Sequence, residues 1–303
     1  MEKSLSPSFW QTHLWLLITQ IAFSLLPTLG KQAFRQFAPE VIAFLRISCT
    51  ALLLAVILFF FKRERLQSFS HIFHFALFAL FGVVANQLLF LKGLHLTKAV
   101  NASLLIAIIP LFTLVLAAAF RRERITVVKL AGVLVAFAGI GLLLNLREIR
   151  LGGYALGNAM IVLNAFSYSI FLVISKPLLS RYRPLTVITW IFLWGTLEML
   201  PFAWGPVIAM VRQPPPAVAF VIPAAIIIFC TFIPYLLNTM ALRHASSSLV
   251  AIYTYLQPLL GTLLAVIWLG EKLDARFFLA AACIFTGIAM VSLAQGYRAW
   301  KNV

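Results

Sequence analysis

Of the 303 residues, 63% are hydrophobic and 11% charged, a balance that excludes a soluble globular domain and requires a chain solvated by lipid. The formal net charge of +16 would suggest a nucleic-acid partner in a soluble protein, but here Lys and Arg fall in short clusters between apolar runs, as topology determinants do. Cys49, Cys230 and Cys283 lie inside apolar runs with no disulfide or metal spacing, so no metal, no cofactor and no nucleic acid is expected.

Apolar runs of about 20 residues, the length that crosses roughly 30 Å at 1.5 Å per residue, recur along the chain and predict ten spans. The first, near 9–32, carries Gln20 and Ser24, closes on Lys31, and is read as a retained helix because no cleavage site follows it. The second, 40–61, holds Arg46 about 9 Å deep. The third, 72–92, carries Asn86 and Gln87, and the fourth, 99–120, contains Pro110 and leads into Glu123. The fifth covers 127–146. The sixth, 153–175, carries Asn164 and Tyr168; the seventh, 185–206, starts after Pro184 and holds Glu198 with Trp190 and Trp194. After the non-helical "RQPPPA" come the eighth, 217–239, with Tyr235 and Asn238, and the ninth, 247–269, with Tyr253, Gln257 and Pro258. Glu271 precedes the tenth, 275–295, whose start at Asp274 suits a helix cap.

Counting Lys and Arg by side gives fourteen against nine, with both termini on the richer side. The positive-inside rule predicts a multi-pass protein of the bacterial cytoplasmic (inner) membrane with both ends in the cytoplasm.

The chain repeats itself. At an offset of 148, "PLFTLVLAAAFRRERIT" (110–126) falls on "PLLGTLLAVIWLGEKLD" (258–274), and Pro110, Glu123, Phe137 and Gly139 meet Pro258, Glu271, Phe285 and Gly287. An offset of 145 lays "GKQAFRQFAP" on "SKPLLSRYRP", matching Lys31 with Lys176 and Pro39 with Pro184. The expected fold is therefore an all-α membrane protein of ten transmembrane helices built as two five-helix repeats, residues 1–146 and 147–303. Five crossings are odd, so the second copy enters the membrane from the opposite side, and inverted repeats suit alternating-access carriers. A duplication kept only for packing, in a receptor or scaffold, is the other reading.

With "KGLHLTKAVNASLLIAIIPLFTLVLAAAFRRERIT" and "NTMALRHASSSLVAIYTYLQPLLGTLLAVIWLGEKLD", the sequence resembles the EamA family of the drug/metabolite transporter superfamily along nearly its whole length. A Lys closing the first helix of each half (Lys31, Lys176) and an Arg in the next helix (Arg46) are also similar; Ile191 replaces that Arg in the second half, and "RRER" lacks the usual Gly before Glu123. The resemblance implies a basket of ten helices, closed by the fourth and ninth, that moves small metabolites, often outward, with exporters of amino acids, including aromatic ones, among its members.

Polar groups at bilayer depth are costly and point to a cavity. Gln20, Ser24, Asn86, Gln87, Asn164, Tyr168, Tyr235, Asn238, Tyr253 and Gln257 are the candidate lining, on helices that pair across the repeat. Each could equally bond a neighbouring helix. Lys31, Arg46 and Glu198 are the charged candidates: Arg46 for a substrate carboxylate or a helix carbonyl, Glu198 for a coupling proton, a pair with Arg46, or an interfacial acid. Pro110 and Pro258 are candidate hinges or gates, while Glu123 and Glu271 anchor loops. An uncharged, aromatic lining suits a neutral, zwitterionic or aromatic amino acid or derivative, exported by a monomer or homodimer in the bilayer. A phosphorylated or nucleotide-type metabolite is the alternative substrate, and no motif supports an enzyme.

Overall fold

The computed structural model describes residues 9–60, 64, 66, 68–143, 154–269 and 275–301. They form ten helical spans, taken here as α1 (Phe9–Ser24 continued by Leu26–Ala33), α2 (Pro39–Phe60), α3 (Ser70–Leu96), α4 (Ala99–Ile106 and Ile109–Ala119) and α5 (Val127–Leu143). The second set is α6 (Ala155–Ile174 with Lys176–Arg181), α7 (Pro184–Arg212), α8 (Ala217–His244), α9 (Ser247–Ile252, a tight turn at Tyr253–Tyr255, then Leu256–Leu269) and α10 (Ala275–Lys301). Seven are long and apolar enough to cross a membrane as single helices; α4 and α9 are broken, and α5 is described over 17 residues. Exposed Trp10, Leu52, Val56, Phe59, Phe202 and Trp204 face outward, where lipid rather than water is the solvent.

The two sets mirror one another. Both α4 and α9 break at the same point, and Pro110 and Pro258 each stand in the first turn of the helix that follows the break. A proline there gives up no intrahelical hydrogen bond, so it restarts a helix rather than kinking a continuous one. A mirrored feature that residue composition did not signal is a π-helical turn inside α3, Leu80–Val84, and another inside α8, Ile228–Phe232. Their positions correspond at the offset of 148. Such turns widen a helix locally and weaken the hold on its carbonyls.

In lipid the hydrophobic effect does not drive helices together; close packing and interhelical hydrogen bonds do. The closest packing joins α5 to α10. A Cβ placed on Gly132 would lie 2.9 Å from the Gly287 carbonyl, and one on Gly139 would lie 2.8 Å from Cys283 Cβ and 2.9 Å from the Ala280 carbonyl. Gly132 aligns with Ala280 and Gly139 with Gly287, so the contact is reciprocal. Elsewhere α2 packs on α7, α3 on α6, and α1 on α8.

Mirrored polar bonds hold these pairs. Asn164 Nδ2 of α6 donates to the Asn86 carbonyl of α3 at 2.6 Å, and its counterpart Thr19 of α1 donates to the Pro234 carbonyl of α8 at 3.4 Å. Lys31 Nζ donates to the Thr97 carbonyl at 2.8 Å, while Lys176 Nζ donates to the Ala245 carbonyl. Each lysine thus fastens the end of its half's first helix to the joint between the third and fourth.

Candidate functional site

Where α1, α2, α3, α4, α6, α8 and α9 meet, a cavity of about 60 Å³ remains. It has room for a few waters and is far below the ~300 Å³ of a typical metabolite site, so loading a substrate requires its walls to part. Six of the expected lining residues surround it: Asn86, Gln87, Asn164, Tyr168, Tyr235 and Gln257, together with Arg46. Phe23, Leu26, Phe90, Ile106, Ile109 and Thr254 complete the wall. These apolar members were not singled out above, although Phe90 sits one helical turn beyond Asn86 and Gln87 and shares their face. Ile106 and Ile109 flank the break in α4, and Thr254 lies in that of α9.

A chain of hydrogen bonds orders the polar wall. Tyr235 Oη donates to Asn86 Oδ1 at 2.9 Å and to the Gly82 carbonyl, in the π turn of α3, at 3.3 Å. Asn238 Nδ2 donates to Tyr168 Oη at 2.9 Å, and Gln257 Nε2 donates to Gln20 Oε1 at 2.8 Å. Asn238 and Gln20 therefore stand behind the wall and orient the residues that form it. Gln87 stands beside Tyr235, yet neither polar atom of its amide meets hydrogen-bond geometry.

Arg46 is 2% exposed. Its Nε donates to Thr231 Oγ1 at 2.9 Å and its Nη2 to the Cys230 carbonyl at 3.3 Å, both in the π turn of α8. Gly82 and Cys230 occupy equivalent positions, so each π turn offers a carbonyl to a side chain from another helix. Glu198 does not pair with Arg46; its Oε2 is buried without a hydrogen-bond partner. Ser24 donates to Ile21 of its own helix at 2.7 Å, Tyr253 pairs with His13, and Lys31 is spent on Thr97, so none of the three lines the cavity. Trp190 stacks on Phe75, with ring centroids 6.3 Å apart, away from it.

On the side bearing Arg121 and Lys176 the end of α4 is bonded to the start of α9. The end of α4 turns through Arg121, whose φ of 54° lies in the left-handed region at a cost of about 1 kcal/mol, and this brings Glu123 back over the bundle. Glu123 pairs with Lys129 and accepts from Ser248 N at 3.1 Å and Ser248 Oγ at 2.8 Å, capping the first helical segment of α9. The neighbouring arginines, Arg122 and Arg124, are not its ion-pair partners. Burial alone would push the Glu123 carboxyl up, but Lys129 and Ser248 outweigh it and hold the group below its ordinary range. All six residues Ser247–Ile252 are buried, whereas Ala99, Ser103 and Leu105 of the mirrored segment of α4 keep part of their surface exposed. Glu271, the mirrored glutamate, lies outside the described residues.

A second cavity, about 460 Å³, opens on the Glu123 side between α3, α4 and α6; His71, His74, Arg122 and Arg181 stand in its wall. His71 is bonded to Tyr182 Oη at 2.7 Å and to Arg181 Nη1 at 3.3 Å, and among the described residues no His, Cys, Asp and Glu group could hold a metal.

The comparisons with known proteins agree with this architecture. The family model of the EamA-like transporter family matches twice, over residues 10–145 and 155–293. A transporter of Archaeoglobus fulgidus is 29% identical over 283 residues, covering 91% of this chain and 94% of that one. A probable terminal-alkyne amino-acid exporter of Streptantibioticus cattleyicolor is 31% identical over 219 residues, 70% of each chain. A solved crystal structure of 19% identity superposes with a TM-score of 0.74 over 95% of this chain and 99% of its own, a likeness of fold. With two matches that together span nearly the whole chain, in an all-helical multi-pass membrane protein of two inverted halves, this chain belongs to the EamA-like transporter family.

Proposed function

We propose that the protein exports a small amino acid or amino-acid derivative across the bacterial cytoplasmic membrane by alternating access, with both termini in the cytoplasm, acting as a monomer or homodimer. The central cavity carries this reading: uncharged amides and phenols line it beside Phe23 and Phe90, and no carboxylate stands in its wall among the described residues. Such a surface orients polar groups and packs an apolar side chain, and it offers a cationic drug no counter-charge. The exporter of terminal-alkyne amino acids among its relatives supports the substrate class. A phosphate ester would call for several cavity cations, whereas Lys31 and Lys176 are bound to carbonyls and Lys92 pairs with Glu40 at 2.8 Å.

In this reading the structure is the outward-facing member of the pair of states. The Glu123 latch closes the cytoplasmic end of α9 against α4; the breaks before Pro110 and Pro258 let the half-helices swing, so that closure passes from one side to the other. Counterflow of labelled amino acids and derivatives in proteoliposomes is the test. Asn86→Ala, which removes the nearer of the two acceptors of the Tyr235 hydroxyl, is expected to lower uptake about 10-fold. No counterflow across a broad amino-acid panel would sink the proposal.

A further inference from the structure

Among the described residues Arg46 carries the only formal charge in the wall of the central cavity, and it has no ionic partner there. Its Nε and Nη2 are used on Thr231 and Cys230, both neutral, while Nη1 is buried with no hydrogen-bond partner. Leaving a buried guanidinium without an anion is expensive in a low-dielectric interior, and membrane proteins place such groups where a substrate or water completes them. The two bonds to the π turn fix the plane of the fork, so the third nitrogen is held in place rather than free to swing. Around it the wall offers amide donors, Asn86 and Gln87, and then aromatic and aliphatic surface, Phe23, Phe90 and Ile109.

From this geometry we infer that Arg46 Nη1 is the carboxylate subsite of the cavity, and that the substrate is recognised through its carboxylate while its amino group makes no ion pair. This rests on the export reading and narrows it. A carboxylate accepts from Nη1 and neutralises the buried charge; an inorganic anion would do the same but leave the apolar wall unfilled. An ammonium finds no acid among the described residues of the wall, so acylating the amine removes a desolvation cost and no attraction. The expected ligand class is a monocarboxylate with an apolar or aromatic side chain, N-acylated amino acids included.

The test is a ligand series on the wild-type protein in proteoliposomes: N-acetyl-L-phenylalanine, L-phenylalanine and L-phenylalaninamide as competitors of one another's counterflow, with chloride and phosphate as inorganic controls. The two acids are expected to be carried, N-acetyl-L-phenylalanine at least as well as L-phenylalanine, and the amide about 10- to 100-fold more weakly, the loss of one charge-assisted hydrogen bond. Arg46→Lys keeps the charge and is expected to retain part of that preference, and Arg46→Gln to erase it. Counterflow of the amide equal to that of the acids overturns the subsite and leaves the export reading standing. Competition by chloride or phosphate as strong as by the acids overturns the monocarboxylate class. Counterflow by none of the three overturns both.

Discussion

Replacing Glu123 with alanine is expected to destabilise the protein by about 3–5 kcal/mol, because it leaves Lys129 as an unpaired charge inside the protein. The side chains of Lys129 and Glu123 are 3% and 9% exposed, so water cannot stand in for the missing partner. The same change uncaps α9 at Ser248, whose N–H and hydroxyl both donate to the carboxylate. Removing both charges in Glu123→Gln/Lys129→Met is expected to restore most of the loss, since a buried pair replaced by apolar or neutral groups is often near neutral. Thermal unfolding in detergent reads both variants; a Glu123→Ala protein as stable as wild type would rule out the pair as a latch. The pH dependence follows from the sign of the shift. The folded carboxyl lies below its ordinary pKa of about 4.3, so its contribution is complete above that value and is lost as pH falls through the folded one. Neutral pH changes should therefore leave the latch closed.

Gly287→Leu is expected to cost about 3 kcal/mol or more, the upper range for overpacking, because the obstacle is backbone. A Cβ at Gly287 would run into the Gly132 carbonyl and Ala136, neither of which can rotate away, so α5 and α10 would have to separate. The predicted readout is loss of the monodisperse peak on gel filtration. Gly141→Leu is the control: nothing lies within 4 Å of a Cβ there, and the variant should behave as wild type. Equal behaviour of the two variants would show that the α5–α10 seam does not hold the halves together.

Much of the fold was legible because lipid imposes a length on every span and duplication wrote each half twice. The offsets of 145 and 148 align Lys31 with Lys176 and Pro110 with Pro258, and the structure gives both pairs mirrored environments. Hydropathy, however, reports how polar a stretch is and not which way each residue faces. Ser24 and Tyr253 therefore looked equivalent to Asn86 and Tyr235, although a bond to Ile21 and a pairing with His13 hold them elsewhere. The π turns were invisible for a different reason: no residue type demands one, and the side chains that bond their carbonyls, Arg46 at Cys230, Ser167 at Phe81 and Tyr235 at Gly82, come from other helices. Glu123 was read as a loop anchor, and its reach to Ser248, 125 positions on, is a tertiary contact no local pattern encodes.

The reciprocal glycine seam and the Glu123 latch differ in how symmetry treats them. If the halves exchange conformations during transport, the seam astride the two-fold axis is carried into itself, with Gly132–Gly287 falling on Ala280–Gly139, so what the seam contributes is shared by the inward- and outward-facing forms alike. Lys129 aligns with Phe277, so the position equivalent to Lys129 cannot carry the same ion pair. In the export reading, the seam would set how firmly the halves are assembled and the Glu123 pair which way they rest.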